Sequence, residues 1–185
     1  MDLAALPARD RILVTAHDLF YRHGIRATGI DRVIAEAGVA KLTFYRHFPS
    51  KDELVRAFLE YRHARWMAWF VDALGRHGAK PEQGLAPVTA ALAEWFGEPH
   101  FRGCAFINAV AEVGGSLADA NAIALRHKQD MEAVIAELLP PGPHREARAQ
   151  ACALAVDGAI VRAQMQDGKA ALEGLAQLLY PLGKP

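Results

Sequence analysis

The sequence predicts an all-α fold, and two observations support this expectation. Apolar residues recur with helical periodicity along almost the whole chain of 185 residues, and no stretch alternates apolar and polar positions in the manner of a β-strand rich in Val, Ile and Thr. Glycine and proline interrupt the periodicity and mark the helix ends. We expect helices at residues 8–23, 29–37, 41–47, 51–74, 87–96, 104–113, 116–139, 144–166 and 169–179.

The first helix carries one apolar stripe and ends at a glycine. Positions three and four residues apart share a helix face, so the stripe is the side that we expect to be buried. Gly24 follows the helix directly, and glycine is common just past a helix end. The stripe consists of Ile12, Leu13, Ala16, Leu19 and Phe20.

Two short helices joined by a tight turn come next. In the first, Thr28 is placed to cap the helix, Asp31 completes a capping-box pattern, and Gly38 ends it. The second begins only three residues later, at Lys41, so the two helices cannot lie antiparallel. This is the arrangement of a helix-turn-helix, whose second helix can enter the major groove of DNA.

A capping box opens the long fourth helix. Ser50 and Glu53 have the spacing of that motif, and Pro49 ahead of them closes off the third helix. We expect one domain at residues 1–53 and another at 54–185, with the fourth helix shared between them.

Proline and glycine delimit the remaining helices. Pro87 suits the first turn of the fifth helix, and the sixth ends at the glycine pair that begins with Gly114. Ser116 and Asp119 can cap the seventh helix, which the proline-rich run 140–143 stops.

The eighth helix has small residues on many sides, which predicts burial on more than one side. It either lies at the centre of the monomer core or forms half of a four-helix dimer interface together with the ninth helix. The ninth helix contributes Leu172, Leu175, Leu178 and Leu179 to this pairing.

Composition and motif content exclude several classes of protein. The chain has 52% apolar residues and balanced charges, which indicates a globular protein. Cys104 and Cys152 lie 48 residues apart without metal-site spacing, so we expect a reduced cytoplasmic protein without a structural metal. No targeting or membrane-spanning segment is expected. Because no HExxH, GxSxG or phosphate-loop motif occurs, we expect no catalytic residues and no cofactor.

The outward face of the third helix predicts the partner. With Val39, Phe44 and Phe48 turned inward, five side chains with basic neighbours are left outside, and the N-terminus of the fourth helix favours an anion near Lys51. Residues 1–65 carry eleven Lys and Arg against eight Asp and Glu, whereas residues 66–185 carry ten against thirteen. This asymmetry modestly favours nucleic acid. The five outward residues are Lys41, Leu42, Thr43, Tyr45 and His47.

The run GIDRVIAEAGVAKLTFYRHFPSKDEL, residues 29–54, resembles the signature of the TetR family of bacterial transcriptional regulators. The resemblance is close over residues 9–60 and architectural beyond. It implies a homodimer whose subunits carry an N-terminal three-helix DNA-binding domain and a C-terminal helical domain that binds a small ligand and dimerises. It also implies phosphate contacts for Thr28, Tyr45 and Lys51, and positions at the groove or its rim for Lys41, Leu42, Thr43 and His47.

Two residues depart from the family pattern, and two assignments have alternatives. Ala40 stands where many members have a capping serine, and Leu42 stands where glycine is common, offering an apolar contact to a thymine methyl. Tyr45 alternatively packs its ring against the first helix, and Lys51 is alternatively a solvated surface lysine.

The middle of the chain predicts a ligand site. Aromatic residues concentrate in the fourth to sixth helices, which suits an apolar cavity between helices with a few polar groups, although aromatics at helical spacing also build ordinary cores. Cys104 is a redox sensor only if exposed, and a buried thiol is the alternative. The candidate contacts are Trp66, Phe70, Trp95, Cys104, Asn108, Glu112 and His127.

These patterns lead to one expected function and two competitors. We expect a dimeric repressor that binds an operator in double-stranded DNA and is released by a small, largely apolar effector. An enzyme would need a catalytic constellation that the chain lacks. A helical receptor or adaptor that has lost DNA binding is the third class, favoured by Ala40 and the zero net charge.

Overall fold

The computed structural model describes residues 3–184, and in that range it is entirely helical, as predicted. A short 3₁₀ turn at Leu3–Ala5 precedes the first α-helix. The α-helices are α1 (Ala8–His23), α2 (Ile30–Ala37), α3 (Lys41–His47), α4 (Lys51–Arg76), α5 (Ala86–Phe96), α6 (Ala105–Val113), α7 (Ala118–Glu137), α8 (Arg145–Met165) and α9 (Gly168–Leu182).

The helix ends agree closely with the prediction, but the cap of α2 differs. Gly29 is the N-cap and no side chain caps the helix, so the predicted capping role of Thr28 is wrong. Its hydroxyl instead donates to the Gly24 carbonyl, 2.8 Å away. The capping of α4 is confirmed, because Ser50 Oγ accepts from the backbone N–H of Glu53 at 3.1 Å.

The chain divides into two compact units. The first takes the described residues up to Ala64 together with Ala105–Ala124, and the second takes Arg65–Cys104 and the described residues from Leu125 onward. The first unit therefore combines α1, α2, α3 and the first part of α4 with α6 and the start of α7. The predicted division at residues 53 and 54 stays a prediction.

The core of the first unit contains the stripe predicted for α1. Its residues meet the inward sides of α2, α3 and α4, and Phe20 lies edge-on to Phe58 with ring centroids 5.4 Å apart. Burying such side chains is the main favourable term in folding. The fully buried members include Ile12, Ala16, Val33, Phe44, Leu54 and Leu59.

In the second unit, α8 packs on α9 and α9 packs on α5. One side of α8 is buried, including Cys152, Val156 and Ile160. Leu175 and Leu179 of α9 are buried within the chain as well, so they are not free to contact a partner. Leu154 and Leu178 are exposed and leave an apolar surface on the same two helices.

Candidate nucleic-acid interface and ligand site

A glycine shapes the turn between α2 and α3. Gly38 has a φ of +62°, in the left-handed region, and its N–H bonds back to the last turn of α2. A side chain in this conformation would be strained. Val39 N–H also bonds to Ile34 O, at 3.3 Å. The turn closes within the three residues between α2 and α3.

Two phenylalanines fix which side of α3 faces the solvent. Phe44 is completely buried and Phe48 is nearly so, with the Arg9 guanidinium 5.3 Å above the Phe48 ring. Val39, which was predicted to face inward, is only partly buried. Because α3 has only seven residues, these two anchors determine its orientation.

The predicted recognition residues lie on the other side of α3. Leu42 is 74% exposed and Tyr45 is 39% exposed. Lys41 is exposed, and its Nζ lies 3.5 Å from an Asp31 carboxylate oxygen in a surface ion pair. Thr43 and His47 are partly buried at the edges of the face. The four predicted groove residues and the predicted phosphate contact Tyr45 thus lie on one short helix.

Tyr45 and Lys51 stand beside this face. The Tyr45 ring meets Phe44 edge-on, with centroids 5.2 Å apart, which leaves the phenol end on the exposed side of the helix. Lys51 is the first residue of α4 and is partly buried. Free N–H groups at a helix N-terminus attract phosphate, which makes this a favourable place for a DNA backbone contact.

Thr28 does not share this exposure. Its side chain is 1% exposed, and its hydroxyl proton is donated to the Gly24 carbonyl. Its predicted phosphate contact stays a prediction, but the structure shows a different use for the hydroxyl: holding the α1–α2 connection. Ala40, the N-cap of α3, has no side-chain hydrogen bond to offer.

The predicted ligand contacts separate into two groups. Trp66, Phe70, Trp95, Cys104 and His127 are buried in the second compact unit, while Asn108 and Glu112 belong to the first.

Glu112 has a hydrogen-bond partner within the first compact unit. Its Oε2 accepts from the backbone N–H of Arg26 at 2.8 Å. The same carboxylate lies beside Gly24, where a Cβ atom would come within 3.1 Å of it. Helical spacing correctly placed Asn108 and Glu112 one turn apart on α6, but it could not show that the carboxylate binds the turn between α1 and α2. The structure shows Glu112 holding this turn, and its predicted ligand contact stays a prediction.

An aromatic cluster forms around Trp66. Its indole is stacked on Phe70 with centroids 4.8 Å apart, and it meets Trp95 and His127 edge-on at 5.5 Å and 4.9 Å. Further out, Trp69 donates from Nε1 to Glu94 Oε1 at 3.2 Å. Arg76 holds the pKa of the Glu94 carboxyl below its usual value through a hydrogen bond, so that carboxylate stays ionised at the edge of the cluster.

A cavity of about 670 Å³ lies between α5 and α9, and none of the predicted ligand contacts lines it. The volume falls in the range of small-molecule pockets. Sequence reasoning missed it because it results from small side chains; the available signal was Ala86, Ala90 and Ala93 at helical spacing on α5.

Both cysteines are buried, which agrees with the buried-thiol alternative for Cys104. Burial raises the pKa of the Cys152 thiol to about 11. Thiols with a raised pKa are poor nucleophiles near neutral pH. Residues 3–184 contain no helix long and apolar enough to cross a bilayer, and no group of three or more His, Cys, Asp or Glu side chains arranged for a metal ion.

An exposed recognition helix on a buried anchor defines a helix-turn-helix DNA-binding protein. The family model of bacterial regulatory proteins of the tetR family matches residues 12–58. A TetR-family transcriptional regulator from Streptomyces coelicolor, SCO4454, has a solved structure with 32% identity and a TM-score of 0.83, and the similarity covers 96% of each chain. The protein belongs to the TetR family of transcriptional regulators, whose members are not enzymes.

Two curated relatives match over part of their length. The transcriptional repressor ComR of Escherichia coli is 31% identical over 64% of this chain and 58% of its own length. The transcriptional activator FasR of Mycolicibacterium smegmatis is 42% identical over 30% of this chain and 25% of its own length. The chain therefore spans between a quarter and three fifths of the length of these relatives.

Proposed function

We propose that the protein is a dimeric transcriptional repressor that binds an operator through α3 and leaves it when a small, largely apolar molecule binds the C-terminal unit. The observation that carries the proposal is the orientation of α3, with Phe44 buried beneath it and Leu42 exposed above. A helix held in this way can enter the major groove without losing its packing.

The residues of the face divide into two kinds of contact. Lys51 and Tyr45 are placed for phosphate, which is the same at every base pair and therefore adds affinity without sequence preference. Leu42 is placed for a base edge, where its apolar side chain suits a thymine methyl group. Lys41 must leave Asp31 before it can bind DNA, a small cost because exposed ion pairs contribute at most about 1 kcal/mol.

Operator binding is tested first by selecting bound fragments from genomic DNA and then by gel-shift titration of variants. Lys51→Ala should weaken binding to all duplexes alike and lower the salt slope by about 1, whereas Leu42→Ala should change the preference at one base position. Tyr45→Phe keeps the ring and removes the hydroxyl. Equal effects of the lysine and leucine variants on all duplexes would contradict the assigned roles.

Dimerisation is proposed through the exposed sides of α8 and α9. Leu154 and Leu178 leave apolar area on these helices, and the exposed Gly158 allows the backbones to come close. Two copies that meet in this way present two recognition helices to the half-sites of a palindromic operator.

Release from the operator requires that the effector prefer the state of the dimer that does not bind DNA. A tenfold loss of operator affinity needs about 1.4 kcal/mol of this preference. The ComR repressor supports repression, while the FasR activator shows that relatives also activate. A reporter gene placed behind the selected operator distinguishes the two directions: expression should rise when the protein is deleted.

A further inference from the structure

Trp66 has a buried hydrogen-bond donor that is not used within the described residues. Its side chain is 6% exposed, and no protein group accepts from its indole Nε1. Buried polar groups are almost always hydrogen-bonded, because an unpaired one loses its water contacts without compensation. An indole N–H can only donate, so the missing partner is an acceptor.

The surroundings of this donor favour a flat aromatic partner. Phe70, Trp95 and His127 contact the Trp66 ring, at centroid distances between 4.8 and 5.5 Å. Trp69, Phe96 and Phe101 in the outer part of the cluster are only partly buried. These partly buried rings are where the cluster meets solvent.

The electrostatics of the cluster favour a neutral ligand over a cation. The unpaired Trp66 N–H offers the positive end of its dipole to a binding partner. The Glu94 carboxylate is the acidic group of the cluster, but it lies at the outer edge and already accepts from Arg76 and Trp69. A cation beside the Trp66 N–H would meet the positive end of that dipole, whereas a neutral acceptor would pair with it.

We propose that the protein binds a neutral aromatic carbonyl compound, and that Trp66 Nε1 donates a hydrogen bond to its carbonyl oxygen. Trp66 thereby determines the specificity of the site, since an analogue without the oxygen leaves the indole N–H unpaired. Only the regulatory consequence of this binding rests on the proposed function; the binding itself does not depend on DNA.

Acetophenone and α-methylstyrene form a matched pair of probes, because a methylene group in the second replaces the carbonyl oxygen of the first. Isothermal titration calorimetry of the full chain gives the ratio of their dissociation constants. In Trp66→Phe the preference for acetophenone should fall about five- to tenfold. In the control Trp69→Phe the ratio should not change, because that indole already donates to Glu94. Taking ratios between variants removes the difference in hydrophobicity of the probes.

A second measurement needs no change at Trp66. The chain has three tryptophans, so the indole N–H region of a ¹⁵N-correlation spectrum contains three signals, and phenylalanine variants of Trp69 and Trp95 assign them by elimination. Acetophenone should shift the Trp66 signal downfield as the hydrogen bond forms, whereas α-methylstyrene should not. The absence of this shift at saturation overturns the proposal.

The α5–α9 cavity provides the competing location. Ala176→Trp narrows this cavity at a side chain that is exposed, so the fold should tolerate it. Loss of acetophenone binding in that variant, with an unchanged probe ratio in Trp66→Phe, overturns the proposal. Failure of both probes to bind the wild-type protein does so too. Neither result affects operator binding, which the Lys51 and Leu42 variants measure separately.

Discussion

Two substitutions two residues apart test the orientation of α3. Phe44→Ala should lower mainly stability, whereas Leu42→Ala should lower mainly operator affinity. Phe44 is completely buried, whereas Leu42 is 74% exposed. Phe44→Ala removes a full aromatic contact from the core and should cost about 3–5 kcal/mol of unfolding free energy. Leu42→Ala removes mainly solvated surface and should change stability by no more than about 0.5 kcal/mol. The unfolding free energies therefore separate inward from outward residues.

Urea unfolding followed by circular dichroism measures this first effect. For a chain of this size the loss in Phe44→Ala corresponds to a fall in the melting temperature of roughly 6–20 °C. Phe44→Leu serves as a milder variant that keeps the chain folded for the DNA-binding assay.

Operator affinity should follow the opposite order. Leu42→Ala should lose about 1 kcal/mol of binding free energy to the selected operator, the loss expected for one base contact. Folded Phe44→Leu should bind nearly as well as wild type. If Leu42→Ala unfolds as easily as Phe44→Ala and retains full operator affinity, the face assigned to DNA is the wrong one.

Three further predictions concern the rest of the chain. Glu112→Ala should lower the free energy of unfolding by about 1 kcal/mol because the backbone N–H of Arg26 loses its acceptor. Glu112→Gln keeps an amide oxygen that can accept and should lose less. Equal losses of the two variants in urea titrations would contradict the role of this hydrogen bond. The raised pKa of Cys152 keeps the folded thiol protonated to about pH 11, whereas the unfolded thiol ionises near pH 8.5. Its stabilising effect is present below that pH and is lost as the pH approaches 11. The stability difference from Cys152→Ala should therefore shift by at most about 3 kcal/mol across this range, and a constant difference would refute it. Leu154→Glu should produce monomers in analytical ultracentrifugation, whereas Leu125→Glu on α7, where the side chain is also exposed, should leave the dimer intact.

The elements of the fold could be predicted wherever local chemistry decides them. The limits of α1 and α3 agree with the prediction because Gly24 ends α1 and a short turn fixes the start of α3. Helix α9 ends at Leu182, three residues past its predicted end at Leu179. Pro181 lies in the last turn, where the loss of one backbone N–H does not stop the helix earlier.

The site was less predictable because it depends on distant contacts. Glu112 and Arg26 are 86 residues apart in the chain, and no periodic pattern connects a helix residue to a turn so far away. Thr28 has the spacing of a cap, yet its hydroxyl bonds to the Gly24 carbonyl. The Glu112 contact could not be predicted because it is set by tertiary structure, whereas for the Thr28 hydroxyl two partners close in sequence compete, the start of α2 and the Gly24 carbonyl.

The division of the chain has a consequence for engineering. The backbone passes from one compact unit to the other after Ala64, after Cys104 and after Ala124. A fragment ending at Ala64 would lack α6, whose Phe106 and Ala109 are buried. Chimeras that transplant operator recognition onto another sensor should therefore carry two separate stretches, the N-terminal one and Ala105–Ala124, because a single splice point would leave the graft with an incomplete interior.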